Sequence, residues 1–183
     1  MKVCIIGAGH VGSAAAFALL GEVEEIALVD IDTKKLEAEA LDLKDACAIS
    51  KHNTFISWSG KPENADAYVF CAGKHPNSDQ NRNDVLIHNR KVLNSVMPMI
   101  AEHNADPWML IVSNPPGDLA VECLNTFRKV ISCGRMLDVA RSKVIGSHES
   151  PEIFNHYKTI KAGKGHTCWA IASEIRAIVG GLV

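Results

Sequence analysis

The hexapeptide Gly7-Ala8-Gly9-His10-Val11-Gly12 constrains this chain more than any other feature, because it joins two segments of different character. Residues 3–6 form an unbroken apolar run of strand type, and residues 11–20 are rich in Ala and Leu, as a helix would be. In a strand–turn–helix setting, the first glycine permits the tight turn and the second lets backbone approach a pyrophosphate. The third lets helix and strand pack closely. The start of the helix then offers free amides and a partial positive charge to an anion. A second apolar run, 25–30, ends in Asp30, where a carboxylate can accept hydrogen bonds from both ribose hydroxyls of a dinucleotide and would repel a 2′-phosphate. NAD is therefore favoured over NADP, with FAD or another adenine nucleotide as the principal competitor.

The rest of the chain keeps this rhythm. A helix is expected over 33–48 with Asp32 or Thr33 as its N-cap, a third strand over 54–58 and a fourth over 66–72. Helical periodicity follows over 84–103, with Pro98 as an expected kink, then a strand over 109–113 and a helix over 118–128. A short sixth strand, 130–132, precedes a helix opening at Leu137. Strands alternating with helices predict an α/β fold, a Rossmann-type doubly wound parallel sheet with its ligands at the carboxyl ends of the strands. After about Arg141 the alternation stops, and one further helix is expected, over 168–179 and ended by Gly180 and Gly181. The organisation read from this is a nucleotide-binding domain over 1–133 and a reduced second piece over 134–183.

Composition removes several other classes. The 183 residues carry 19 Lys plus Arg against 21 Asp plus Glu, with no basic stripe, so nucleic acid has no electrostatic footprint here. No run is long enough to cross a bilayer and no cleavable leader opens the chain, which points to the cytoplasm. The six cysteines are scattered through apolar runs without a CxxC pair, as reduced buried thiols would be, and neither they nor the eight histidines show zinc-ligand spacing. No metal is expected. Gly163-Lys164-Gly165-His166-Thr167 lacks the earlier glycine and the hydroxyl residue after lysine that a phosphate loop requires.

Downstream residues narrow the class. Ala72-Gly73 closing the fourth strand, Arg82 in the polar loop behind it, Ser113-Asn114-Pro115 closing the fifth, and Leu137-Asp138-Val139-Ala140-Arg141 together resemble the lactate/malate dehydrogenase family over roughly three quarters of the chain. The resemblance implies hydride transfer between NAD(H) and a 2-hydroxy or 2-oxo acid. Cofactor contacts would then come from Gly7, Gly9, His10, Val11, Gly12, Asp30, Ala72, Gly73 and Asn114. Arg141 would grip the substrate carboxylate with its planar fork, and Asp138 would orient a catalytic histidine. Arg82 would close over the site and polarise the substrate carbonyl, while Asn114 would bind the substrate oxygen or hold the nicotinamide. The Asn114-Pro115 bond is a candidate cis peptide. Read alone, Asp138 and Arg141 at i and i+3 equally fit an ordinary helix ion pair, and Arg82 fits a solvated loop charge.

Gly146-Ser147-His148-Glu149-Ser150 resembles the family's histidine loop with one glycine lost, which nominates His148; an exposed loop histidine is the competing reading. Lys164-Gly165-His166-Thr167-Cys168-Trp169-Ala170-Ile171 resembles the family's Lys-Gly-Tyr-Thr-Ser-Trp-Ala-Ile helix opening and nominates Thr167 as a substrate contact. In the family, the third residue beyond Ala-Gly is usually Gln in lactate enzymes and Arg in malate enzymes. Pro76 stands there, after Lys74 and His75, so malate is disfavoured and a lactate-like or larger apolar side chain is expected, as in hydroxyisocaproate dehydrogenases. The stretch after Arg141 is too short for a second domain of ~100–150 residues, so a chain complete as written is expected to turn over weakly or not at all. A noncatalytic NAD-binding homologue is the alternative, and a dimer or tetramer is the assembly the resemblance implies.

Overall fold

The computed structural model describes residues 1–74, 81–144 and 151–182. Six strands form one sheet: β1 (Lys2–Ile6), β2 (Glu25–Val29), β3 (Phe55–Ser59), β4 (Ala67–Phe70), β5 (Trp108–Ile111) and β6 (Lys129–Ser132). All are parallel, in the order β3-β2-β1-β4-β5-β6. This is the doubly wound arrangement in which strand order reverses beside β1, and the crevice for a ligand opens where the ends of β1 and β4 part.

Strand alternation sorts the apolar side chains into two cores. Val3, Ile5, Ile26, Leu28, Val69 and Leu110 point to one face, while Cys4, Ile6, Val29, Phe70, Met109 and Ile111 point to the other. Both faces are covered, which is why the strand sequences are continuously apolar rather than alternating. The first face is covered by α1 (His10–Ala18), α2 (Thr33–Ile49) and α7 (Trp169–Gly180), the second by α3 (Arg82–His103) and α4 (Pro116–Cys123). The remaining helices are α5 (Arg135–Val144) and α6 (Pro151–Lys164).

Most expected elements are present, with differences at their ends. Asp32 caps α2, its carboxylate accepting from the Lys35 amide at 3.1 Å. Helix α3 runs unbroken through Pro98, and Arg82 is its first residue rather than part of the loop before it. Helix α4 starts two residues earlier than expected, at Pro116, whose fixed φ suits a first turn, and it stops at Cys123. Residues 124–127 turn instead, so that Phe127, only 1% exposed, can enter the second core. Helix α6 was not expected at all: its sequence has no sustained apolar stripe to announce it.

Candidate functional site

The glycine turn occupies the crevice as the sequence predicts. Gly7 adopts φ +100°, and a Cβ built on it would stand 2.6 Å from the Ala72 nitrogen, so a bare backbone lets the β1 and β4 loops touch at the switch point. A Cβ on Gly12 would run into the Gly7 carbonyl oxygen. At Gly9, by contrast, nothing lies within 4 Å of where a Cβ would be. Two of the glycines therefore serve packing, and the middle one leaves open space at the N-terminus of α1, as a phosphate-bearing ligand requires.

Asp30 stands immediately after β2, half-buried, with one carboxylate oxygen accepting from the Ala8 amide at 2.7 Å and the other from the Asp32 amide at 3.0 Å. It thus shapes the glycine turn from the side where a ribose would lie. A cavity of about 470 Å³ runs from Gly9 past Asp30, Ala72 and Gly73 to Val96. A second, of about 330 Å³, shares Gly9 and continues over His10, Val11, Asn114 and Thr167. A third, of about 940 Å³, shares Val11, Asn114 and Thr167 and reaches Leu137, Asp138 and Tyr157. The three form a run along the carboxyl edge of the sheet, and the open glycine, the carboxylate and this extended crevice fit an adenine dinucleotide.

One side chain that holds the crevice together was not singled out in the sequence. Asn89 of α3 is fully buried; its Oδ1 accepts from the Lys74 amide at 2.7 Å, and its Nδ2 donates to the carbonyls of Asn114 at 2.7 Å and Lys74 at 3.1 Å. One amide thereby joins the loops after β4 and β5. Ser113 adds a second tie, donating to the Ala72 carbonyl at 2.6 Å. Asn114 itself is exposed and precedes Pro115 through a cis peptide bond. The signal for Asn89 was present, a lone amide on the apolar ridge of Val85, Leu93, Val96 and Ile100.

At the other rim, His10 stacks on His166 with ring centroids 3.9 Å apart and planes 8° from parallel. Desolvation, followed by the charges of His10 and Lys164, holds the His166 imidazole below its usual pKa. Asp138 and Arg141 lie on α5, Asp138 in the first turn and Arg141 in the last. The third cavity brings Asn114, Asp138 and Thr167 together; Arg141, half-buried, is not among its described lining residues. Residues 75–80 and 145–150, and with them Pro76 and His148, lie outside the described residues, as does the side chain of Arg82.

Residues 1–132 match the family model described as lactate/malate dehydrogenase, NAD binding domain. The chain belongs to the lactate/malate dehydrogenase family. An L-lactate dehydrogenase of Clostridium perfringens is 33% identical over 94% of this chain and 58% of its own length. One from Deinococcus radiodurans is 38% identical over 77% of this chain and 48% of its own. The chain thus spans about half the length of these relatives. Among solved structures, the malate dehydrogenase of Archaeoglobus fulgidus in complex with NADH superposes with a TM-score of 0.86 at 22% identity, covering 98% of this chain and 76% of that one. A lactate dehydrogenase from a Medee basin deep-sea metagenome library gives 0.79 at 23% identity, with the same coverages. These two share the fold. The matched family segment is the NAD-binding one, and NAD is the cofactor.

Proposed function

We propose that this chain is the nucleotide half, with a partial substrate half, of an NAD-dependent L-2-hydroxyacid dehydrogenase acting on a lactate-like acid or one with a larger apolar side chain. The observation that carries the reading is the third cavity, where the edge of the cofactor crevice continues past Asn114 to Asp138 and Thr167. The cofactor supplies the hydride acceptor and donor; every other task falls to side chains. Gly7, Gly9, His10, Val11, Gly12, Asp30, Ala72, Gly73 and Asn114 hold the dinucleotide. Asn114 and Thr167 contact the substrate, and Arg141 receives its carboxylate in a two-pronged ion pair.

In the same reading, His148 exchanges the hydroxyl proton, Asp138 stabilises the protonated imidazole, and Arg82 closes over the substrate and polarises its carbonyl. Pro76, where an arginine would be needed for a second carboxylate, supports monocarboxylate substrates. The names of the full-length relatives, L-lactate dehydrogenase, support the same class. We further propose a cytoplasmic homo-oligomer, a dimer or tetramer. Phe17 and Trp169, exposed by 55% and 65% beside one groove lined from α1, α2 and the start of α7, are apolar surface that a second copy could cover. Among the described residues no helix is long and apolar enough to cross a membrane.

The test is NADH oxidation by the purified chain, followed at 340 nm against pyruvate, longer 2-oxo monocarboxylates and oxaloacetate. Any turnover with the monocarboxylates is expected to be weak, abolished by His148→Ala and further weakened by Arg141→Lys. NADH binding without turnover on any acid would leave the noncatalytic reading standing, and a preference for oxaloacetate would overturn the assignment drawn from Pro76.

A further inference from the structure

Helix α5 carries Asp138 and Arg141, yet little of it is anchored by packing. None of its described side chains is buried, and Met136 and Val139 are exposed by 51% and 48%. A ten-residue helix with no buried side chain among those described gains from another means of holding its direction. That means lies on α7. Glu174 is only 5% exposed, and its carboxylate accepts from three amides at the start of α5: Gly134 at 2.7 Å and Met136 at 3.3 Å on one oxygen, Leu137 at 3.1 Å on the other. These amides are the ones a helix leaves unpaired at its N-terminus, and a carboxylate is the side chain that best complements their partial charge.

Glu174 is itself held from behind. The next residue, Ile175, and Val179 one turn later are 0% exposed in the core beneath α1, so α7 is fixed to the sheet and presents its carboxylate at a set place. A carboxylate this buried would be costly if it had no partners. Three amide donors offset that cost only while α5 stays in register, and a slip of one residue would leave the charge unsatisfied.

We infer that Glu174 is a positioning residue: it fixes the start of α5 and thereby the places of Asp138 and Arg141 at the substrate end of the crevice. This rests on the roles proposed above for those two residues. Because the internal carboxylate already occupies the helix start, the substrate carboxylate is left to Arg141 rather than to backbone amides.

The test uses the whole chain with two substitutions, Glu174→Gln and Glu174→Ala, and three readouts: amide exchange at 134, 136 and 137, the NADH dissociation constant, and the affinity of the pyruvate site with NADH saturating, read with oxamate, an unreactive isostere of pyruvate. Glutamine keeps one acceptor oxygen and loses the charge, so oxamate affinity should fall by about tenfold, and by more in the alanine variant, while NADH affinity changes less than about twofold. Exchange at the three amides should rise in the same order. Faster exchange with unchanged oxamate affinity would overturn the inference, leaving Glu174 as a stabilising cap alone. Equal losses for NADH and oxamate would overturn it too. If the unsubstituted chain binds NADH but not oxamate, the substrate reading itself fails and the inference falls with it, a result distinct from the other two. Should the alanine variant not fold, the glutamine variant decides.

Discussion

The open space at Gly9 and the closed space at Gly12 make opposite demands on a side chain. Gly9 has ordinary extended backbone angles and stands as the N-cap of α1, a position where serine is favoured. Gly9→Ser should leave the stability to urea within about 0.5 kcal/mol of the unsubstituted chain, yet weaken NADH binding by tenfold or more as the hydroxymethyl group enters the phosphate path. Unchanged NADH affinity would show that the turn does not face the cofactor. Asn89 makes a complementary case, since it touches only backbone. Asn89→Leu removes the buried partner of three backbone groups, the Lys74 amide and the Lys74 and Asn114 carbonyls. It should cost about 2–3 kcal/mol in urea unfolding. The glycines could be read from their spacing, because each serves a local turn. Asn89 could not be assigned a role, since its partners lie 15 and 25 residues away and only the folded sheet brings them to it.

At the scale of elements, α7 shows how far a local reading goes. Its apolar period and closing glycines fix its existence and its limits within a residue, but nothing in them says which sheet face it covers. It lies on α1, where Ile175 and Val179 complete the first core. Ile175→Ala should therefore lower stability by about 2–4 kcal/mol in a single cooperative transition shared with the sheet. Loss of α7 alone, seen as early proteolysis at 169–180 with an unchanged main transition, would show instead that the helix is a loosely attached appendage. Helices α4 and α6 mark the limit from the other side: one ends early because burying Phe127 outweighs continued helix, and the other has no sequence stripe strong enough to declare it.

For the molecule as a whole, burial of thiols sets the response to alkali. All six cysteines are unpaired, and five of them are buried. Desolvation pushes Cys4, Cys123 and Cys133 from their ordinary 9.0 up to about 12 and raises Cys71 as well; the Tyr68 hydroxyl, ordinarily at 10.0, is pushed up to about 12 by the same cause. The folded chain thus keeps protons that the unfolded chain releases from about pH 9. Stability from these groups is full below that pH and is lost as pH rises toward 12. The unfolding temperature should fall by several degrees between pH 8.5 and pH 10.5, and iodoacetamide at pH 8 should label these thiols only after denaturation. Rapid labelling of the native chain would contradict the burial.

The alternation of strands and helices as far as β6, the position of the glycine turn and the acid that ends the β2 run were all set by local sequence, because each depends on neighbours within a few residues. The same holds for the family, whose marks Asn114, Asp138 and Arg141 follow strand ends in fixed order. What only tertiary structure decided is which distant groups meet. The amide of Asn89 spans two loops, His10 stacks on His166 across the crevice, and Glu174 holds the helix that carries Asp138. Each joins segments far apart in the chain, and no periodicity records a contact that exists only once the sheet has formed.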